Sequence, residues 1–195
     1  WHNFSPIRNM SFMWSSSLSK LKISLSGSVH HYRNYLYFNE LVSPVQSEED
    51  IIYYNLVFKK KWILNNIYIN SDFVLQKSNN EIMSLPSLSF KQRIQYDYHL
   101  SDNINLLSSI DFLIFSKYYI SSYFPLTDLF YLQLEQKRGL IPLLSADILL
   151  SKKQFSIGFE FNNLSTFFFE GESLISNYPF APPTLQFLMK WQFLN

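Results

Sequence analysis

The chain alternates between apolar and polar positions. Near its end, Leu185, Phe187, Met189, Trp191 and Phe193 fall on every second position, with Gln186, Leu188, Lys190, Gln192 and Leu194 between them. Successive side chains of a β-strand point to opposite faces, so this spacing predicts a strand with one large apolar face. The stretch is long enough to cross a bilayer as a tilted strand, which takes about 9–11 residues. The same period recurs upstream. Leu21, Ile23, Leu25 and Val29 oppose Lys22, Ser24, Ser26 and Ser28, with Gly27 expected at a bulge or bend. Ile52, Tyr54, Leu56 and Phe58 resume the pattern, and 67–75 predicts a further strand.

The cleanest alternation is 88–100. Leu88, Phe90, Ile94, Tyr96, Tyr98 and Leu100 share one face, while Ser89, Lys91, Arg93, Gln95, Asp97 and His99 fill the other. A short turn at 101–103 leads into Ile104, Leu106, Ile110, Phe112 and Ile114, which predicts a long hairpin. Strands are also expected at 130–135, at 145–150 and 155–162 about Lys152-Lys153, and briefly at 166–170. The spacing gives about ten to twelve strands, no helix of convincing amphipathic period, and short turns alternating with longer loops. That is the arrangement of a transmembrane antiparallel up-and-down β-barrel.

Composition narrows the class. Aromatic residues make up 18% of the 195 residues and charged residues only 16%, below the ~25% typical of soluble domains. Mean hydropathy is nonetheless close to neutral, as alternation requires. No run of 18 apolar residues exists, so no membrane-spanning helix is expected. A net charge of +1 excludes a large basic footprint for nucleic acid. Without cysteine there is no disulfide, thiolate site or cysteine nucleophile. The chain starts at Trp1 with no leader pattern, so a removed signal peptide or a missing N-terminal part is expected.

Candidate chemistry is sparse. Nucleotide-binding loops and zinc spacings are absent, so no cofactor and no metal site are expected. Adjacent His30 and His31 would point to opposite faces of a strand. His99 near Asp97, Ser89 and Ser101 supplies the residue types of a Ser-His-Asp hydrolase, but serine is abundant and a triad is a matter of geometry. An enzyme is not expected. The Lys59-Lys60-Lys61 run suits a solvated turn or rim, with attraction to lipopolysaccharide as the functional alternative. If the apolar face of the hairpin meets lipid, Lys91, Arg93, Asp97, His99, Asp111 and Lys117 line a lumen, joined by Glu160 and Lys190. Tyr118, Tyr119, Tyr123, Tyr178 and Trp191 suit an interfacial girdle.

From Tyr118 onward the chain resembles the putative porin family of Gram-negative outer membranes. The matching residues are Tyr118-Tyr119, Tyr123-Phe124-Pro125, Phe130-Tyr131-Leu132-Gln133, Pro142, Asp147 and Phe161-Asn162. Phe167 to Phe169, Tyr178-Pro179, Pro182-Pro183 and Trp191-Gln192-Phe193 follow. Leu85-Pro86 and the hairpin at 88–117 fit more loosely, so the likeness covers roughly 85–195. Thr184 stands where arginine is common, Leu188 where glycine is common, and Leu194-Asn195 extend past the terminal aromatic. The resemblance implies one outer-membrane barrel domain over 1–195, the C-terminal part or a reduced form of a longer barrel. It implies a passive diffusion channel embedded in outer-membrane lipid and lipopolysaccharide. It also implies recognition by the barrel-assembly machinery, for which Trp191 and Phe193 are the candidate signal, and contact with other outer-membrane proteins. A closed barrel serving an outer-membrane complex and a soluble ligand-binding β-barrel are the rival readings.

Overall fold

The computed structural model describes residues 4–169 and 181–193. Nine long strands form one sheet: β1 (Arg8–Leu18), β2 (Ile23–Arg33), β3 (Ile51–Leu64), β4 (Ile67–Ser78), β5 (Leu88–Ser101), β6 (Ile104–Phe115), β7 (Leu143–Lys152), β8 (Phe155–Asn162) and β9 (Thr184–Trp191). Each pairs antiparallel with its neighbour in the chain, so spatial order follows chain order. Among the described residues β1 and β9 do not pair with each other, and the sheet has two free edges. Directions alternate, so those two edge strands run the same way.

Register turns the local alternation into two continuous faces. Directly paired residues share a face. The row Trp62↔Ile69↔Ile94↔Ile110↔Ala146↔Phe161↔Leu185 therefore crosses seven strands on one side. The row Lys61↔Asn70↔Arg93↔Asp111↔Ser145 crosses five on the other. The first face carries no Asp or Glu on the nine strands. Aromatic rings run diagonally across it, with Phe73 and Phe90 at 4.6 Å between centroids and Phe58 and Phe112 each 6.1 Å further out. Its large side chains stay in the open: Ile110 is 55% exposed and Phe187 58%.

Burial is correspondingly slight. Among the described residues the buried apolar side chains are Ile51, Ile120 and Ile141. Of these, Ile120 and Ile141 belong to the connection at 116–142 rather than to a core beneath the sheet. A soluble domain of this length would cover much of its apolar surface, and this sheet leaves one whole side uncovered. No helix among the described residues is long and apolar enough to cross a membrane, which bears on helices alone.

The connections sort to opposite ends. At one end, tight links join β1–β2, β3–β4, β5–β6 and β7–β8, with Lys22, Asn65 and Lys153 in the left-handed region. At the other end lie 34–50, 79–87, 116–142 and the described residues 163–169 and 181–183. The longest of the fully described ones is tied by Gln133. Its Nε2 donates to the carbonyls of Ile120 (2.6 Å) and Gln136 (2.8 Å), and its Oε1 accepts from the backbone N–H groups of Glu135 (2.9 Å) and Gln136 (2.8 Å).

Several details depart from the sequence-based expectations. The sheet holds nine strands, and the remaining strand pieces are two- and three-residue segments within the connections. The strand expected at 130–135 is cut to Leu129–Tyr131, because the side chain of Gln133 bonds the local backbone that a ladder would otherwise use. A 3₁₀ turn at Leu164–Phe167 replaces the strand expected at 166–170, whose last residue lies outside the described ones. Lys59 to Lys61 sit inside β3, not at a turn. Residues 8–18, whose apolar spacing is irregular, form β1 because β2 offers a full ladder. Gly27 makes no bulge. It pairs in register with Trp14, and a Cβ added there would stand 2.6 Å from the indole Nε1. The sheet's irregularity falls instead between His99 and Ser101.

The indole over Gly27 yields a coupled pair. Gly27→Val should cost about 1–3 kcal/mol by overpacking, and most of that cost should vanish in a Trp14→Ala background. Urea unfolding of the four-member cycle in detergent measures the coupling.

Candidate functional site

The polar face of the sheet gathers every carboxylate of the nine strands and half of their lysines and arginines. Pairing places Lys91, Arg93, Asp97 and His99 of β5, Asp111 of β6, Glu160 of β8 and Lys190 of β9 on it together. Lys59, Lys61, Asp72 and Asp147 join them. Lys117 does not: it follows the end of β6, in the 116–142 connection. Across this face the charges separate. β3–β5 hold Lys59, Lys61, Lys91 and Arg93 against Asp72 and Asp97. β6–β8 hold Asp111, Asp147 and Glu160 with no cation on that face.

Arg93 stitches the boundary. Its Nη1 donates to Asp111 Oδ2 at 2.8 Å, and its Nη2 donates to Ser109 Oγ at 2.6 Å and to Asp147 Oδ1 at 3.0 Å. Ser109 Oγ donates to the same Asp147 oxygen. One guanidinium thus spans β5, β6 and β7, a geometry that its planar fork permits and a lysine point charge does not. Asp111 and Asp147 are about one-fifth exposed. A groove of about 350 Å³ opens beside this network and is lined by Lys91, Arg93, Asp111 and Ser145 together with Asn162 and Thr166. A weaker pair, Lys59 to Asp72 at 3.4 Å, lies on the neighbouring strands.

Towards the long connections the same face carries rings. His30 stacks with Tyr53 at 5.5 Å and with Tyr32 at 6.1 Å, and Tyr53 donates to Gln76 Oε1 at 3.0 Å. His31 points the other way, where its Nε2 lies 2.8 Å from Asp50 Oδ2, a carboxylate that also accepts from Arg33 Nε at 2.9 Å. The bonds from Arg33 and then His31 hold Asp50 below the usual carboxylate range. That contribution exists above the ordinary carboxylate pKa and is lost as pH falls through the lowered one. His30 and His31 thus cannot share a ligand, as the alternation implies.

Among the described residues four buried side-chain atoms have no hydrogen-bond partner: His30 Nδ1, Asn55 Oδ1, Asp97 Oδ1 and Asn105 Oδ1. All four belong to this polar face. Buried polar atoms ordinarily find partners, so a hydrated face suits them better than a packed one. No hydrogen bond among the described residues joins His99 to Asp97, Ser89 or Ser101. The pairing sets Ser89 far along β5 from His99, so the residue types of a triad are not assembled. The described residues contain no cluster of three or more metal-ligating side chains.

The girdle candidates divide. Trp191 lies at the tight-turn end of the apolar face, with Phe155 at 6.1 Å and Phe193 stacked at 5.3 Å. Trp62, Tyr96 and Tyr98 occupy the same end, and alternation alone could have picked them out. Tyr118, Tyr119 and Tyr123 sit at the opposite end in the 116–142 connection, so with Trp191 they form no single belt. Burial raises the Tyr118 hydroxyl above its ordinary pKa. Tyr178 lies outside the described residues.

Family membership of this two-faced sheet is decided by a direct match. A family model described as "Putative porin" matches residues 1–195. The chain belongs to that family. The match spans the whole chain, further than the 85–195 over which the ordered motifs are visible. No curated protein and no solved structure matches it.

The Arg93 network gives a stability test. Arg93→Ala leaves Asp111 and Asp147 facing each other without a counter-charge and should cost about 1–3 kcal/mol, less than a fully buried pair because the guanidinium is partly solvated. Arg93→Lys should restore less than half of that loss. Denaturant midpoints of the two variants in detergent decide the matter.

Proposed function

We propose that this chain forms part of the wall of an outer-membrane β-barrel that works as a porin-like passive diffusion channel. The observation that carries the reading is the sheet itself, with nine consecutive antiparallel strands, one exposed apolar face whose strands carry no carboxylate and one polar face that carries all of theirs. In lipid every backbone polar group must be satisfied internally, so a spanning sheet must close. β1 and β9 run in parallel, so joining them directly would give one parallel junction in an otherwise antiparallel wall. An odd number of further strands closes the wall with antiparallel pairing throughout. It also brings the total to an even number, as in bacterial outer-membrane barrels.

In this reading the tight-turn end faces the periplasm and the long connections face outward, the usual asymmetry of such barrels. The apolar face meets lipid, and aromatic rings at Trp62, Tyr96, Tyr98 and Trp191 lie at the inner interface. The polar face lines the lumen. The orphaned atoms of His30, Asn55, Asp97 and Asn105 support a wet interior, and the equal numbers of opposite charges on it favour weak ion selectivity. Solutes pass by diffusion, without a cofactor and without a covalent step.

Planar-bilayer recording tests this. The purified protein should insert and conduct with little preference between potassium and chloride. Arg93→Glu should move the reversal potential in a salt gradient towards cation preference. Insertion without conductance would favour a closed scaffold barrel, and a monodisperse protein in detergent-free buffer would remove the membrane reading altogether.

A further inference from the structure

The groove of about 350 Å³ beside the Arg93 network holds polar groups that the fold leaves unused. Its floor is apolar. Leu113 of β6 and Leu143 of β7 pair directly on the polar face, and both are partly buried. Its wall is the 3₁₀ turn at Leu164–Phe167. That turn is anchored by Ser165, only 1% exposed, whose Oγ accepts the Leu144 N–H at 2.8 Å. An apolar floor with a few placed polar groups is the usual make-up of a small-molecule site.

Two excess charges of opposite sign flank that floor. On one side, Asp72 stands opposite both Lys59 and Lys91 and pairs with Lys59 at 3.4 Å. Lys91 is exposed and makes no ion pair or side-chain hydrogen bond among the described residues. On the other side, Arg93 alone serves Asp111 and Asp147, one cation against two carboxylates. It reaches Asp111 through Oδ2, and Asp111 Oδ1 takes no hydrogen bond among the described residues. Glu160, opposite Asp147, adds to the excess of carboxylate there. Lys91 and Asp111 do not neutralise each other. They lie on a diagonal of the β5–β6 ladder, roughly 7–8 Å apart. The Ser145 hydroxyl and the Asn162 amide also line the groove, and neither side chain is hydrogen-bonded among the described residues.

We infer that this groove binds a free α-amino acid with an aliphatic side chain. Its carboxylate lies at Lys91, its ammonium at Asp111 and its side chain on Leu113 and Leu143. An α-amino acid holds both charges on one carbon. With a charge-assisted hydrogen bond of about 2.8 Å at each end, one molecule spans the gap between Lys91 and Asp111. Separate salt ions would meet the charges but leave the apolar floor wet. A sugar would use Ser145 and Asn162 and leave both charges without a partner. A peptide carries its terminal charges too far apart. The inference deepens the channel reading and rests on the polar face lining the lumen. The groove lies at the long-connection end of that face, where a solute entering from outside first meets the wall.

Saturation-transfer NMR on the full chain in detergent tests it, with planar-bilayer conductance measured on the same preparation. Three probes share one isobutyl group: L-leucine, 4-methylpentanoate, which lacks the ammonium, and 3-methylbutylamine, which lacks the carboxylate. Leucine should bind about tenfold more tightly than either, since each missing end forfeits a charge-assisted hydrogen bond. Lys91→Gln should bring leucine to within about twofold of the amine, without weakening the amine. Lys91→Arg should keep the preference for leucine, and Lys190→Gln, at the tight-turn end of the same face, should change nothing. Equal binding of the three probes, no saturable binding of leucine, or a preference untouched by Lys91→Gln overturns the inference, and persisting conductance then leaves the channel reading standing. A preference for leucine that Lys91→Gln abolishes, in a protein that inserts without conducting, supports the site and removes the channel.

Discussion

The antiparallel ladder is the constraint on which everything else depends. Side chains alternate at period two, so pairing is productive only in registers that keep apolar residues together. Eight successive pairings all meet that condition. A slip of one residue anywhere would send Lys91, Arg93 and Asp111 into the company of Ile94 and Phe112. The sheet is therefore specified less by a buried core than by the requirement that each strand agree with two neighbours. The single irregularity lies next to a hairpin turn, between His99 and Ser101, where it alters only the last pair of the β5–β6 ladder.

The same ladder turns separate strands into one electrostatic surface. Arg93 and Asp111 are eighteen positions apart in the chain, and Asp147 is far beyond both, yet register sets them within one guanidinium's reach. The cationic strands and the anionic strands meet at that residue. Removing it would do more than delete a bond, because two carboxylates would then share a partly dry site. The polar face thus has a seam, fixed by backbone geometry, at which both signs of charge meet.

Much of this was legible in the residues. The runs at 88–114, 155–162 and 185–193 announce their faces because their alternation is nearly unbroken. The strand at 8–18 was not, since Ser15 to Ser17 look like a turn and the strand is fixed only by what β2 offers beside it. The fate of Gln133 was equally hidden. Its local pattern suits a strand, and only the fold shows that its amide closes a loop around Ile120. Gly27 misled for a related reason: a glycine in a strand suggests distortion, but a neighbouring indole can fill the space instead. Of the site, the lumen candidates on regular strands could be assigned by parity. Lys117 could not, because parity loses meaning once a strand ends.

The free edge at β1 has a consequence for handling the protein. Its eleven residues are exposed on both faces, carry one charge at the very start and contain no proline. Soluble proteins blunt such edges with lysines, prolines or bulges. This strand has none of those protections along its length, and its outward N–H and C=O groups form a ready template. Freed from its surroundings, the chain should polymerise edge to edge, so its shelf life in solution is a question of strand geometry before it is one of thermal stability.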